Sequence, residues 1–168
     1  MNILSIDAST KSSGWAYLID NNLIDHGCIT ASSTDLIKRI QKMTNEIDII
    51  LKKYSIDKII LEEVRPEGGY GVGNQKTHKA LMWLQAAIAF LVHDNYPTIE
   101  IEYIYPSSWR ATLGIKNGRG IKRQTLKEAD IEYIKNNFNI NVNDDEADAI
   151  CIGLAQFCNQ ENNELNWE

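Results

Sequence analysis

The first predicted strand of this chain ends on a carboxylate, and that placement constrains the fold more than any other feature. Ile3, Leu4 and Ile6 form a short apolar run that is typical of a strand buried on both faces of a sheet. Asp7 ends the run where another apolar residue is expected. Because an acid is rarely buried without a partner, Asp7 needs a cation, a cluster of donors or open water. We predict that Asp7 anchors a cluster of metal-binding carboxylates.

The apolar pattern predicts three strands, a helix, a strand, a helix, a strand and then further helices. Residues 14–20 and 23–30 are the second and third strands. A tight turn at Asn21-Asn22 joins them and closes an antiparallel meander. Thr34 is suited to cap a helix that runs to about Tyr54 with its apolar side chains on one face.

The fourth strand is also apolar and also ends on an acid, Glu62. Two strands therefore deliver carboxylates at their carboxyl ends. Glu63 follows directly, and alternation along a strand sends neighbouring side chains to opposite faces. We assign Glu62 to the cluster, and exposure of either glutamate to solvent is the alternative. The remaining predicted elements are a helix at about 77–93, a strand at 99–105, a helix at about 125–138 and a last helix that runs to about Phe157.

The last helix begins in an acidic segment. Asp145 and Asp148 are three positions apart, so they share one helix face and can converge on one ion. The helix dipole helps both acids to stay ionised. Capping is the competing explanation, but Asn143 and Glu146 resemble a capping box, which leaves the other two acids without that task. Asp144 can act as a cap or can replace Asp145.

The predicted cluster contains four carboxylates from distant parts of the chain, which are Asp7, Glu62, Asp145 and Asp148. Hard oxygen ligands of this kind suit Mg²⁺, and Mn²⁺ should substitute for it. Two such ions about 3.5–4 Å apart can neutralise a scissile phosphate, activate water and stabilise the leaving oxygen. We therefore predict two divalent ions per site. No histidine is needed as a base, so we interpret His26, His78 and His93 as surface or interface residues.

The net charge of −6 conceals one strongly basic stretch. It carries no acid before Glu128, and glycines keep its first part loop-like. Its basic residues are Arg110, Lys116, Arg119, Lys122, Arg123 and Lys127. A local basic patch is what phosphate binding requires, and a solvated run of charge is the alternative explanation.

Three sets of motifs resemble, in the same order, those of the RuvC-type Holliday junction resolvases. They are Ser5-Ile6-Asp7-Ala8-Ser9 with Gly14-Trp15-Ala16, then Leu61-Glu62-Glu63-Val64, then Asp145-Glu146-Ala147-Asp148-Ala149. The resemblance covers most of the chain and implies an α/β fold of the ribonuclease H-like type. The expected sheet is five-stranded and mixed, with a three-strand antiparallel meander plus two parallel strands, flanked by helices. We expect the nuclease domain at 1–159 and a polar, acidic tail at 160–168.

The resemblance also implies an activity, namely metal-dependent resolution of Holliday junctions and other branched DNA by paired nicks. It implies that the four carboxylates are catalytic, and Lys122 stands where a second functional lysine is expected. Arg110 ends a segment that resembles a DNA-contacting one. Relatives often carry a junction-opening aromatic at the position of Arg65, so either Tyr70 takes over stacking or junction selectivity is relaxed, as in compact phage-encoded members. The expected DNA contacts are Arg65, Tyr70, Arg110, Lys116, Arg119, Lys122 and Arg123.

A four-way junction has approximate two-fold symmetry, so a C2 homodimer can nick both opposed strands. The helix at 77–93 is apolar over too wide an arc for one face, which fits either a dimer interface or a fully buried core helix. The chain shows no basic segment ahead of an apolar stretch and no apolar run long enough to span a bilayer. We expect a soluble, cytoplasmic protein.

Two other classes of function compete with a nuclease. The segment from Asp7 to Ser12 also resembles the phosphate-binding turn of the sugar-kinase and actin group, but those proteins need two such domains and 168 residues allow one. A catalytically silent module that binds branched DNA is the other alternative. Four intact acids argue against it, because they would only repel phosphate.

Overall fold

Five strands form one mixed sheet at the centre of the computed structural model, which describes residues 1–64, 72–115, 118 and 120–164. The strands are β1 (Asn2–Asp7), β2 (Ser12–Ile19), β3 (Asn22–Thr30), β4 (Lys58–Glu62) and β5 (Glu100–Ile104). Their order across the sheet is β3-β2-β1-β4-β5. The pairs β1–β2 and β2–β3 are antiparallel, whereas β1–β4 and β4–β5 are parallel. The predicted meander, extended by two parallel strands, is confirmed.

Helices flank both faces of this sheet. They are α1 (Leu36–Lys53), α2 (Val72–Asn95), α3 (Pro106–Thr112), α4 (Arg123–Phe138) and α5 (Asp144–Glu164). Side chains of α5, α4 and α3 pack in one core with Ile3, Leu18 and Ile60 of the sheet. Side chains of α1 and α2 pack in a second core with Leu4 and Ile59 on the opposite face. In the described part of the chain, no helix combines the length and apolarity that crossing a bilayer demands.

The helices differ from the predicted ones at several points. The cap of α1 is Asp35 and not Thr34, because the Asp35 carboxylate accepts from the backbone N–H of Ile37 at 2.8 Å. Pro106 ends β5 and also begins α3, a helix that was not predicted; proline suits a first helical turn, where its missing N–H is not needed. Helix α2 begins at Val72, earlier than expected.

The carboxyl end of α5 also lies further along the chain than predicted. The helix continues past Phe157 to Glu164, so residues 160–164 prolong it. Residues 165–168 lie outside the described part of the chain. The division into a domain at 1–159 and a separate tail stays a prediction.

Two glycines allow α5 to lie directly on the sheet. A Cβ on Gly14 would stand 1.8 Å from the backbone oxygen of Asp145, at the start of α5. A Cβ on Gly153 would stand 2.4 Å from Leu18 Cδ1. The Ser5 hydroxyl donates to the Ala149 carbonyl of α5 at 2.6 Å. Because Gly14 pairs with Asp7 in the β1–β2 register, this close approach brings the amino end of α5 to the carboxyl end of β1.

The contact at Gly14 predicts the effect of adding a single methyl group. Gly14→Ala should displace the first turn of α5 and lower the free energy of unfolding by about 1–3 kcal/mol, as overpacking of a close contact does. Gly27→Ala is the matched control on β3, since its methyl would meet only the Trp15 side chain at 3.0 Å, which can shift. Urea denaturation measures both. Equal stability of the two variants would contradict the proposed seating of α5.

Candidate active site

The ends of three elements bring the predicted acids to one edge of the sheet. Asp7 ends β1 and Glu62 ends β4, and these two strands are parallel neighbours. Alternation places both side chains on the face that carries α5, because Ser5 bonds to α5 and Ile60 belongs to the core beneath that helix. Helix α5 begins at Asp144, so its first turns bring further acids to the same edge. Glu62 therefore faces α5, as the sequence predicts.

A cleft of about 430 Å³ opens at this edge. Three of the four predicted carboxylates line it. The described lining residues are Asp7, Ala8, Ser9, Glu62, Glu63, Val64, Thr77, His78, Leu81, Pro106, Arg123 and Asp145. The fourth acid, Asp148, is buried, with 7% of its surface exposed.

The Asp7 carboxyl lies in a strongly electronegative setting. Burial is the main cause that raises its pKa, to about 7, and the charges of Glu62 and Asp145 raise it further. Lys127 and Arg123 lower it in part. A divalent cation bound here would favour the ionised form of Asp7 and would offset the repulsion among the acids.

Glu62 is held from two sides. The indole Nε1 of Trp109 donates to Glu62 Oε2 at 3.0 Å, and the Gln85 side-chain amide donates to the Glu62 backbone carbonyl at 2.6 Å. Burial raises the pKa of Glu62, while the Trp109 hydrogen bond and the charge of Arg110 lower it in part. One carboxylate oxygen of Glu62 is thus fixed by the indole of α3.

Asp148 lies beside a buried arginine. Arg110 Nη2 is 3.5 Å from Asp148 Oδ1, and that oxygen has no hydrogen-bond partner among the described residues. The Arg110 guanidinium instead donates to Asp130, from Nε at 3.1 Å and from Nη2 at 2.8 Å. Burial raises the pKa of Asp148 to about 9, with contributions from the charges of Asp7 and Asp130.

Asp144 and Asp145 differ in their contacts. Asp145 lines the cleft, accepts a hydrogen bond from the Ser12 hydroxyl and lies 4.0 Å from Lys127 Nζ. Asp144 forms an ion pair with Lys127, and this pair lowers the pKa of Asp144. Asp145 is therefore the acid that faces the cleft.

The predicted capping box is confirmed. The Asn143 side-chain oxygen accepts from the Glu146 N–H at 2.9 Å, and the Glu146 carboxylate accepts from the Asn143 N–H at 3.1 Å. Glu146 also contacts His26, whose Nδ1 lies 3.0 Å from Glu146 Oε1. Capping thus leaves Asp145 and Asp148 available for another role.

The donor chemistry of the site fits a hard divalent cation. Three of the predicted carboxylates line one cleft, three of the four (Asp7, Glu62 and Asp148) have raised pKa values, and Asp148 Oδ1 is a buried oxygen without a hydrogen-bond partner among the described residues. Within the same residues, no three His, Cys, Asp or Glu side chains already surround a single point at ligand distances. Asp7, Glu62 and Asp145 line the cleft and are the acids that would hold an ion there, and Asp148 is buried beside Arg110.

The predicted phosphate contacts divide into three groups. Arg123 lines the cleft, and Lys122 is exposed beside it at the N-cap of α4. Arg110 was predicted to contact DNA, and that prediction is wrong: Arg110 is 8% exposed and its guanidinium is bound to Asp130. The positions that lie outside the described residues are Arg65, Tyr70, Lys116 and Arg119.

Several residues of the site had no predicted role. His78 lines the cleft, although we interpreted it as an ordinary surface or interface residue. Trp109 and Asp130 are fully buried and contact the acidic cluster or its arginine. The spacing along α4 could have indicated that Asp130 is buried. Asp130 precedes the buried Ile134 by four positions, so the two residues lie on the same helix face.

The raised pKa values predict how stability responds to pH in the absence of divalent ions. The folded chain holds protons on Asp7 and Asp148 at a pH at which the unfolded chain has lost them. The two acids therefore add most to the free energy of unfolding at low pH. That added stability is lost as the pH rises through about 7 for Asp7 and about 9 for Asp148. Asp148→Asn should reduce the loss of stability between about pH 7 and about pH 9, where only Asp148 contributes to it.

Thermal unfolding in EDTA, followed from about pH 5 to about pH 9, measures the loss. Asp94→Asn is the control, because Asp94 is exposed at the end of α2 and its neutralisation should leave the pH dependence unchanged. Added Mg²⁺ should restore stability at high pH. The same pH dependence in wild type and Asp148→Asn would rule out the raised pKa of Asp148.

The chain has curated relatives that share one name, although no protein-family model matches it. A "Crossover junction endodeoxyribonuclease RuvC" from Ehrlichia ruminantium (strain Welgevonden) is 40% identical over 72 residues, which is 38% of this chain and 45% of the relative. The protein of the same name from Aliarcobacter butzleri (strain RM4018) is 28% identical over 128 residues, or 74% of this chain and 78% of the relative. The match thus spans less than half of the Ehrlichia protein and about three quarters of the Aliarcobacter one.

Solved structures share the fold across nearly the whole chain. The structure described as "T. thermophilus RuvC in complex with Holliday junction substrate" has a TM-score of 0.74 at 12% identity and covers 96% of each chain. The "Yeast Mitochondrial Holliday Junction Resolvase, Ydc2" has a TM-score of 0.60 at 15% identity, over 98% of this chain and 82% of the other. In sequence, therefore, the chain is similar to curated proteins that carry the name RuvC, and its fold is that of these solved Holliday junction resolvases.

Proposed function

We propose that this chain is a metal-dependent endodeoxyribonuclease that resolves Holliday junctions by paired nicks in the cytoplasm. The observation that carries the proposal is the cleft, where carboxylates from β1, β4 and α5 meet beside Arg123. The names of its homologues support the same activity. Other branched DNAs are further substrates of the same chemistry.

The residues of the cleft divide the work of phosphodiester hydrolysis. Asp7, Glu62 and Asp145 bind the divalent ions, for which we propose Mg²⁺ with two ions per site. When bound, such ions neutralise the phosphate and lower the pKa of coordinated water. Arg123, which also lines the cleft, contacts a phosphate oxygen, and exposed Lys122 binds the neighbouring DNA backbone. Asp148, whose buried Oδ1 has no hydrogen-bond partner among the described residues, is the fourth proposed ligand.

A non-catalytic DNA-binding module is a weaker explanation of the same residues. The acids raise one another's pKa values, so their proximity costs free energy in a chain without a cation. They also repel the phosphates that a binding module must hold. A cluster of this kind is favourable only when positive ions occupy it.

We further propose that α2 forms the interface of a C2 homodimer. Its inner face packs in the core through Leu84, Ile88 and Val92. Its outer face exposes apolar side chains, and Trp83 and Phe90 keep 44% and 69% of their surface. An exposed apolar stripe on an otherwise packed helix is typical of a protein contact. A C2 dimer through this stripe would present two clefts to the two-fold junction.

Asp7→Asn should lower the rate of junction cleavage by at least about 100-fold, because a metal ligand supplies several kcal/mol of transition-state stabilisation. Binding of the junction should stay equal or become tighter, since one repulsive charge is lost. Cleavage of synthetic four-way, three-way and linear DNA with and without Mg²⁺ measures the rate, and gel shifts measure binding. Asp94→Asn removes an equal charge from the surface and should cut like wild type.

Two outcomes would overturn this proposal. One is cleavage by Asp7→Asn at the wild-type rate. The other is a wild-type chain that binds four-way junctions but cuts none of these DNAs in Mg²⁺ or Mn²⁺, which would favour the non-catalytic module.

Phe90→Glu should dissociate the proposed dimer, because burial of a charge in an apolar interface is unfavourable. We expect a loss of dimer affinity of at least about 10-fold, with paired nicks replaced by single ones. Sedimentation equilibrium measures the affinity. Ile37→Glu is the matched control, since Ile37 is also an exposed apolar residue, on α1. A wild-type monomer, or a Phe90→Glu dimer of unchanged affinity, would remove α2 from the interface.

A further inference from the structure

The short helix α3 contacts two of the acidic residues through adjacent side chains. Trp109 is fully buried, and its indole N–H donates to Glu62 Oε2 at 3.0 Å. A buried indole N–H needs an acceptor, and here the acceptor is a residue of the cleft. The hydrogen bond fixes one oxygen of Glu62, at the end of β4, and leaves the other for a further ligand.

The next residue, Arg110, contacts the second acid in a different way. Its guanidinium forms a fork onto buried Asp130, with donor–acceptor distances of 2.8–3.2 Å. It also stacks over the Trp109 ring, with Cζ 4.0 Å from the ring centroid. With its orientation set by these two neighbours, the guanidinium places Nη2 3.5 Å from Asp148 Oδ1 without forming a hydrogen bond to it.

This arrangement supplies charge near Asp148 without occupying its oxygen. A bidentate pair holds an arginine more firmly than a single contact does, because both the distance and the plane are set. The Asp130–Arg110 pair therefore acts as a fixed support. Asp148 keeps one buried oxygen that can coordinate a cation or accept a hydrogen bond from water, and the nearby guanidinium of Arg110 partly compensates its charge.

We propose that Trp109 and Arg110 are positioning residues, which set the carboxylates of Glu62 and Asp148 for divalent cation binding. The inference rests on the proposed function only in taking the cleft to be a metal site. Carboxylates that repel one another would move apart unless other groups held them. Fixing them before the cation arrives reduces the reorganisation that binding requires, as hydrogen bonds to metal ligands do in general.

A purely structural role is the competing explanation, since both residues lie in the core beneath α5. The two explanations differ in what a conservative change does to metal affinity. A structural role predicts lost stability and unchanged affinity of the folded chain for a cation. A positioning role predicts weaker cation binding at whatever stability remains.

The test is calorimetric titration of the full chain with Mn²⁺, in the absence of DNA. Trp109→Phe keeps a buried aromatic ring and removes the N–H donor. We expect its Mn²⁺ affinity to fall about 10-fold or more, the usual effect of removing a group that supports a metal ligand. The Mg²⁺ concentration for half-maximal cleavage should rise by the same factor, and saturating Mg²⁺ should restore most of the rate.

Ile134→Val is the matched control for packing. Ile134 is fully buried in the same core as Trp109 and forms no hydrogen bond through its side chain. The variant should lose thermal stability and keep wild-type Mn²⁺ affinity. Thermal unfolding of each variant separates lost packing from lost positioning.

Arg110→Lys tests the arginine separately, because it keeps the positive charge and loses the fork onto Asp130. We expect Mn²⁺ affinity to fall, as for Trp109→Phe. Asp130→Asn weakens the same fork with almost no change of shape, and it provides a second measurement if Arg110→Lys does not fold.

Each outcome decides between the explanations. Wild-type Mn²⁺ affinity in Trp109→Phe and in the arginine variants, with or without a loss of stability, would overturn the positioning role. A wild-type chain that binds no Mn²⁺ would overturn it as well. A wild-type chain that binds Mn²⁺ but cuts no branched DNA would overturn the proposed function alone, since the titrations would still measure what Trp109 and Arg110 do.

Discussion

Mutual repulsion among the carboxylates is the constraint on which the rest of this structure depends. Burial is the main cause that raises the pKa values of Asp7 and Asp148; the charges of Glu62 and Asp145 raise that of Asp7 further, and the charge of Asp7 raises that of Asp148. The close seating of α5 on the sheet keeps them together. Gly14 and Gly153 provide the space for this approach, and the Ser5 hydroxyl adds a direct hydrogen bond to α5. Burial of the apolar face of α5 stabilises a site that the acids alone would push apart.

The positive charges near the site are of two kinds with different uses. Arg110 is internal, and its pairing with Asp130 offsets the cost of burying both charges. Arg123 lines the open cleft, where it can meet a phosphate. Lys127 lies between these extremes, paired with Asp144 and close to Asp145. The fold therefore buries one residue of the basic stretch, Arg110, and leaves another, Arg123, in the open cleft.

Helix α2 shows how one element can serve two surfaces. The sequence left a buried core helix and an interface as alternatives, and the structure buries one face of α2 and exposes apolar side chains on the other. Leu84 and Ile88 are fully buried against the sheet, while Trp83 and Phe90 are exposed on the outer face. The amino-terminal part of the same helix carries His78 into the cleft. A change of position of α2 would therefore affect core, cleft and outer surface together.

The sequence alone determined those features of the structure that depend on residues close together along the chain. Strands that end on Asp7 and Glu62 and the capping box of α5 are local patterns, and each was predicted from residue order and spacing. The predicted cap of α1 was wrong by one residue, because adjacent polar side chains can perform the same local task, and the short helix α3 was not predicted. The four-acid cluster was predicted from strand ends and helix spacing, and the resemblance to a family agreed with it.

Only the tertiary structure decided which charges are buried and which face the cleft. Trp109 meets Glu62 across 47 positions of the chain, and Arg110 meets Asp130 across 20. Composition assigned Arg110 to phosphate binding, since an arginine in a basic run has the same local pattern whether it is exposed or buried. Burial and pairing depend on how helices pack on the sheet, and no spacing along the chain encodes that distance.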